Sequence, residues 1–351
     1  MSTVSEHKQY MDRCLQLAQM GQGRTAPNPM VGAVLVHEGV IIGEGYHEQY
    51  GQAHAEVNAI ASVKLEHQHL IGQATLYVSL EPCAHFGKTP PCADLIIEKG
   101  IPKVVVGCRD PFPQVAGKGL EKLHKAGVEV VTGIREDECR VLNKRFFTFH
   151  TEHRPYVVLK WAQTSDGCIA NGNYSRIRIS NAYTNRLVHR WRSEEMAILV
   201  GTNTALFDDP ELTTRLWPGG NPVRLVVDMN LRLPASLKLF NGEHKTIVFN
   251  KLRHSEHFNL LYYQVTDDVS IVQQVLNALY QLKIQSVLVE GGAALLQSFI
   301  DEGAWDEART ITNETLSAGN GLSAPVLRGA HIVHAEDVHT DRIRYYRKGK
   351  A

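Results

Sequence analysis

Two stretches decide how the first half of this chain is read: HAEVNAI, His54–Ile60, and EPCAHFGKTPPC, Glu81–Cys92. They hold a histidine, a glutamate two places on, and two cysteines each preceded by proline. Zinc prefers a tetrahedron of nitrogen and sulfur donors, and a catalytic site takes three from protein and leaves the fourth position to water. His54, Cys83 and Cys92 form such a set, and Glu56 is then a spare carboxylate. Bound zinc would bring the pKa of a water to roughly 7, and Glu56 would move its proton.

Local chain chemistry sharpens the expectation. Thr89 caps a helix with Pro90 at its first position, which puts Cys92 in the first turn, where N–H groups and the helix dipole favour a thiolate. A helix over Ala55–Lys64 opens at His54. Residues two apart on a regular helix point in different directions, so irregular geometry is expected there. H-x-E followed by P-C-x-x-C marks the zinc-dependent base deaminases, whose glutamate handles protons without binding metal. Here eight residues, not two, separate Cys83 from Cys92. Two blander readings stay open: cysteines packed as small apolar groups, and a structural zinc with His85 as fourth ligand.

The chain has 351 residues, comfortable for two domains, with 43% hydrophobic and 21% charged content. Lys+Arg and Asp+Glu are equal at 37 each, which argues against a surface for long nucleic acid. The amino terminus lacks a secretory pattern, and no apolar run approaches the ~18 residues of a membrane span. Six cysteines in so long a chain read as thiols of a reducing cytoplasm. A hairpin around Glu38-Gly39 is followed by alternating helix and strand signals: strands at 74–80, 103–108 and 128–133, helices at 90–99, 119–127 and 136–147. That order predicts a sheet with helices on both faces. AGKGL, residues 116–120, reads as a tight turn before a helix. Arg154-Pro155 marks a boundary, giving expected domains of residues 1–150 and 151–351. The second domain is also α/β, and the basic tail DRIRYYRKGKA reads as a frayed strand.

TAPNPMVGAVLV, GEGYHEQYGQAHAEVNAI, LEPCAHFGKTPPCADLII and DPFPQVAGKGLEKLHKAG together resemble the deaminase half of the bifunctional riboflavin-biosynthesis deaminase/reductase family. The long cysteine spacing is that family's form of the pattern. The resemblance implies a cytidine-deaminase-like α/β/α sandwich followed by a dihydrofolate-reductase-like α/β domain. It implies zinc-dependent deamination of a diaminopyrimidinone ribosylamine 5′-phosphate, then NADPH-dependent reduction of its ribosyl group to ribityl. Asn28 and His47 would line the pyrimidine pocket, and His85 and Lys88 would reach the phosphate end. Asp110 matches the family's Asp-Pro-Asn-Pro, but its asparagine is Phe112 here. A small phosphorylated pyrimidine, no nucleic acid, no membrane and a homo-oligomer, dimer or tetramer, complete the implied picture.

In the second half no G-x-G-x-x-G follows a strand. SVLVEGGAALLQSFI, Ser286–Ile300, instead ends a buried strand at two glycines and opens a helix whose N–H groups suit a phosphate. With LKWAQTSDGCIA and AILVGTNTALFDDPELTTR, it resembles the reductase half of the same family. Carried over, Ala162, Thr204, Asp208 and the run Gly292, Ala293, Ala294, Leu295, Leu296, Gln297, Ser298 would contact NADPH. Lys160, Arg176, Arg192, Leu212, Arg215 and Glu290 would hold the substrate, the arginines as guanidinium forks. The family's nicotinamide-side tryptophan is Arg178 here, and this arginine is expected to grip the extra phosphate of NADPH. Lys160 or a water is the expected proton donor. Two further readings stay open: a deaminase acting on another base, such as one in tRNA, and a carboxy-terminal half that only dimerises or senses a ligand.

Overall fold

The computed structural model describes residues 4–86, 90–112, 116–172 and 177–349. The chain divides into two units, residues 1–153 and 154–351. The first contains α1 (Val4–Gln19), β1 (Gly32–His37), β2 (Val40–Tyr46), α2 (Ala55–Ala61), β3 (Thr75–Leu80), α3 (Cys92–Glu98), β4 (Lys103–Cys108), α4 (Lys118–Lys125), β5 (Glu129–Thr132), α5 (Glu136–Leu142) and α6 (Lys144–Glu152). Glu38 and Gly39 both take positive φ, 47° and 81°, the turn whose twist matches a hairpin. The strands lie in the order β2-β1-β3-β4-β5. Alternation sorts their side chains: Ala33 and Leu35 join Ala59, Ile96 and Leu123 of α2, α3 and α4. Val34 and Val36 join Met11, Cys14 and Phe147 on the opposite face.

The α2–β2 contact is unusually close. A β-carbon on Gly43 would lie 2.4 Å from the Ala59 carbonyl oxygen, and one on Gly45 would lie 2.4 Å from the Ala59 nitrogen. Asn58 Nδ2 donates to Tyr46 O at 2.8 Å and locks the helix at that spot.

Several boundaries differ from the sequence expectation. Helix α2 stops at Ala61 rather than Lys64. Helix α3 starts at Cys92 with extended Pro91 as its cap, not at Pro90. A residue before proline avoids helical backbone, so Pro90 cannot open the helix, and Thr89 lies outside the described residues. The single helix expected over 136–147 breaks at Asn143 (φ −103°, ψ 24°). The Asn143 side chain donates to Met30 O and accepts from Met30 N, each at 2.8 Å.

The second unit contains β6 (Tyr156–Thr164), β7 (Cys168–Ala170), α7 (Ala182–Glu194), β8 (Ala197–Gly201), α8 (Thr202–Asp208), β9 (Val223–Val227), β10 (Thr246–Asn250), β11 (Ser255–His257), β12 (Leu260–Gln264), α9 (Ile271–Gln281), β13 (Ser286–Gly291), α10 (Ala293–Asp301), β14 (Glu307–Asn313), β15 (Leu322–Ser323), β16 (Ala330–Val338) and β17 (Asp341–Lys348). Ten strands form one sheet, β11-β12-β10-β9-β8-β13-β6-β14-β17-β16. The seven from β12 to β14 in that order run parallel. Helices α9 and α10 cover one face and α7 the other. Over Asp341–Lys348 the basic tail is not frayed: β17 pairs with β14 on one side and β16 on the other. Strand β13 returns between β6 and β8, so the carboxyl ends of these strands form the crevice where open α/β sheets bind ligands.

Gly45→Ala forces α2 away from β2 and lowers the urea midpoint of unfolding by the equivalent of about 1–3 kcal/mol. Gly220→Ala, with no atom within 4 Å of the added carbon, leaves the midpoint unchanged.

Candidate functional site

His54, Cys83 and Cys92 offer ligand atoms that all lie within 4.8 Å of one another. His54 Nδ1 is 3.6 Å from Cys83 Sγ and 3.4 Å from Cys92 Sγ. A tetrahedral zinc with ordinary bond lengths holds nitrogen and sulfur about 3.6 Å apart, so the donor set and its spacing fit that ion. The expected irregularity at the start of α2 is simple: His54 is its extended cap (φ −76°, ψ 168°), off the helix proper, while Glu56 lies inside the first turn. Cys92 opens α3, and its N–H donates to Cys83 Sγ at 3.3 Å. Hydrogen bonds from Cys92 and His54 hold the Cys83 thiol below its ordinary range. Among the described residues His85 does not join the cluster, and its buried Nδ1 has no hydrogen-bond partner. A four-ligand structural zinc through His85 therefore finds no support.

Glu56 is 4% exposed, and burial lifts its carboxyl to about 7. His47 Nδ1 lies 3.0 Å from Ala53 O and its Nε2 lies 3.2 Å from Asn28 Nδ2. A proton on Nδ1 satisfies both, with the Asn28 amide donating to Nε2. Asp110 is buried, and burial lifts its carboxyl to about 7. Phe112 sits where an asparagine was expected, its ring 4.9 Å from His150 and 6.3 Å from His85. Lys88 lies outside the described residues.

In the second unit a cavity of about 1380 Å³ opens at the carboxyl ends of β9, β8, β13, β6 and β14. Lys160, Ala162, Arg178, Arg192, Thr204, Asp208, Leu212, Arg215, Glu290 and Gly292–Leu296 line it. Gln297 and Ser298 do not: Gln297 bonds Asp301 and Val326, and Ser298 donates to Ala294 O. Arg176 lies outside the described residues. Gly292 caps α10 in an extended conformation. A β-carbon on Gly291 or Gly292 would lie 3.1 or 3.3 Å from Thr204 Oγ1, so the glycines let α8 press against the strand end. The amino end of α10, aimed into a cavity of this size, fits a dinucleotide phosphate.

Residues 4–108 match the zinc-binding region of cytidine and deoxycytidylate deaminases, and residues 155–320 match the RibD C-terminal domain. A riboflavin biosynthesis protein RibD of Aquifex aeolicus is 45% identical, over 89% of this chain and 90% of that one. The chain belongs to the RibD family. The RibD of Escherichia coli is 36% identical over 85% of both chains. The crystal structure of a diaminohydroxyphosphoribosylaminopyrimidine deaminase/5-amino-6-(5-phosphoribosylamino)uracil reductase from Thermotoga maritima superposes with a TM-score of 0.89. It is 38% identical and covers 98% of this chain and 99% of its own. Acinetobacter baumannii RibD gives the same TM-score at 31% identity, over 99% of each chain. This chain is thus a bifunctional deaminase/reductase of riboflavin biosynthesis, a cytidine-deaminase-like domain that binds zinc joined to a dihydrofolate-reductase-like domain that uses NADPH. A deaminase of another base and a non-catalytic second half are both set aside. Among the described residues no helix is long and apolar enough to cross a membrane.

The family's second site rests on a buried ion cluster. Arg192 Nε and Nη2 reach the two oxygens of Glu290 at 2.8 and 2.7 Å, and its Nη1 donates to Thr213 O at 3.2 Å. Three of its five donors are thereby used within the protein. Lys160 Nζ lies 3.9 Å from Glu290. Burial pushes the Glu290 carboxyl up, but Arg192 and Lys160 outweigh it and hold the group at about 2. Arg215 is half exposed at the rim, 3.4 Å from Glu211. Leu212 is buried with a positive φ of 53°, a conformation that costs a leucine about 1–2 kcal/mol beside the cavity. The sequence reading missed Arg232, Lys238 and Asn313, which also line it. A cation just beyond a strand's carboxyl end is the one clue to Arg232, and only the sheet order gives it meaning.

The depressed Glu290 pKa stabilises the fold above its unfolded value, and that contribution is lost as pH falls from about 4.5 towards 2. Glu290→Gln should remove this difference at low pH. At neutral pH it should cost about 3–5 kcal/mol by leaving Arg192 unpaired, read from denaturant unfolding across pH.

Proposed function

We propose that residues 1–150 deaminate a diaminopyrimidinone ribosylamine 5′-phosphate and that residues 151–351 reduce the ribosyl group of the product to ribityl. His54, Cys83 and Cys92 hold the zinc, and the convergence of their three ligand atoms beside buried Glu56 carries this reading. Zinc supplies the Lewis acidity that makes a water ionisable near neutral pH. Glu56 carries one proton of that water to the ring nitrogen and the second to the departing amine, which leaves as ammonia. Asn28 Oδ1 accepts an N–H of the pyrimidine while His47 fixes the Asn28 amide. His85 and Asp110 hold the sugar side, with Lys88 at the phosphate.

In the second site Glu290, Arg192, Leu212 and Arg215 position the opened sugar, and Arg176 is assigned to the same substrate. NADPH supplies the hydride. Lys160, whose ammonium burial disfavours, gives the completing proton. Ala162, Thr204, Asp208 and the start of α10 hold the dinucleotide. The sheet order supports its direction. Lys160 and Glu290 occupy the β6–β13 side, so the nicotinamide lies there and the adenosine lies towards β8 and β9. On that side Arg232 and Lys238 line the cavity, and they compete with Arg178 for the extra phosphate of NADPH. The six free thiols support a reducing cytoplasm. The outer edge of β16, with Ile332 and Val333 exposed, supports a homo-oligomer.

Ammonia release and NADPH oxidation, followed together on zinc-replete protein, test the division of labour. Glu56→Ala should abolish ammonia release and keep reduction of added deaminated intermediate; loss of both activities would refute independent sites. Binding titrations separate the arginines. Arg232→Ala should weaken NADPH about 10–100-fold and leave NADH unchanged, and Arg178→Ala should affect both nucleotides alike. The reverse pattern would return the phosphate to Arg178.

A further inference from the structure

Glu81 directly follows β3 and is followed at once by Pro82 and Cys83. Its carboxylate is 4% exposed. Four backbone N–H groups donate to it: Asp110 at 3.3 Å and Gly117 at 3.1 Å to Oε2, Gly119 at 3.1 Å and Leu120 at 3.5 Å to Oε1. Gly117, at a φ of 78°, takes the left-handed conformation that turns these groups to a common side. A negative charge at the amino end of α4 is favoured by the helix dipole as well. The result is a cradle built for a carboxylate. AGKGL therefore binds no phosphate of a ligand; its N–H groups are engaged by a side chain of the protein itself.

The cradle has a mechanical consequence. A β-carbon on Gly119 would fall 1.9 Å from the Pro82 carbonyl oxygen, so α4 lies directly on the peptide that precedes Cys83. From the other side Ala93 N donates to Cys83 O at 3.1 Å, and Cys92 N donates to Cys83 Sγ at 3.3 Å. Cys83 is thus gripped between α3 and α4, and Glu81 bonds the start of α4 to the segment that carries Cys83.

We propose that Glu81 is a positioning residue of the zinc site. It fixes Cys83 Sγ relative to His54 Nδ1 and Cys92 Sγ, and through the Asp110 N–H it ties the Asp110 loop to the same frame. This rests on the reading of His54, Cys83 and Cys92 as zinc ligands. Glutamine at position 81 keeps the shape but turns a donor towards N–H groups that need an acceptor.

The test uses the full-length zinc enzyme and follows zinc release into excess 4-(2-pyridylazo)resorcinol by absorbance, with the absorption spectrum of the cobalt-substituted protein alongside. Partners that orient metal ligands typically govern affinity by 10–100-fold, so Glu81→Gln should release zinc roughly 10–100-fold faster and shift the cobalt bands. Leu123→Ala, which removes a buried side chain from the same helix, should lower the thermal midpoint and leave zinc release at the wild-type rate. Release from Glu81→Gln at the wild-type rate, or equally fast release from Leu123→Ala, would overturn the proposal. Should Glu81→Gln fail to fold, Gly119→Ala decides, because it displaces α4 and keeps the carboxylate; there too faster release is expected and wild-type release overturns. Full zinc retention by His54→Ala would sink the ligand reading itself, and the positioning role with it.

Discussion

Backbone lies directly against backbone where α2 crosses β2, and the deaminase site depends on that contact. Two glycines spaced along one face of the strand leave no side chain between strand and helix. The helix start is then set by the strand, and His54 is delivered from an extended residue rather than from a helical turn. A histidine on the strand-like side of the cap and a glutamate on the helical side can face one point despite being two apart. The cysteines reach the same point from a loop and from the first residue of another helix.

The two sites solve opposite electrostatic problems. In the first, Glu56 and Asp110 are buried in surroundings that disfavour their charge, and both carboxyls stand near neutrality. Groups poised in that way exchange protons readily. In the second, Lys160 and Arg192 flank Glu290 as a buried ionic cluster that lines the cavity and keeps one net positive charge. His189 beside them is held at about 4 by burial and by the charges of Arg192 and Arg215, so it stays uncharged at neutral pH. Positive potential is thereby concentrated in arginines that cannot lose it.

What the sequence made legible was local. The hairpin turn, the ligand set and the strand-to-helix step at Glu290–Ala293 each lie within a few residues, and their chemistry is carried by residue type. The start of α3 was misplaced because two consecutive prolines favour a cap over a first turn. The break at Asn143 was invisible because its cause lies 113 residues away at Met30. Glu81 looked like one more residue of a zinc motif until α4 folded over it. Arg232 and Lys238 belong to the cavity only because β13 inserts between β6 and β8, a crossing order that no periodicity encodes. Phe112 was legible as a departure, but its place between His85 and His150 was not.

The Asn143 side chain acts as a stretch of strand, giving one donor and one acceptor to Met30 just before β1. The segment it stitches also carries Asn28, so the last part of the first unit holds the chain that leads into β1. Helix α6 follows at once and lends Phe146, Phe147 and Phe149 to the core. A gene fragment that stopped at the end of α5 would therefore encode His54, Cys83 and Cys92 and still lack the seam at Met30. The folded unit is thus longer than its metal motif and runs to His153.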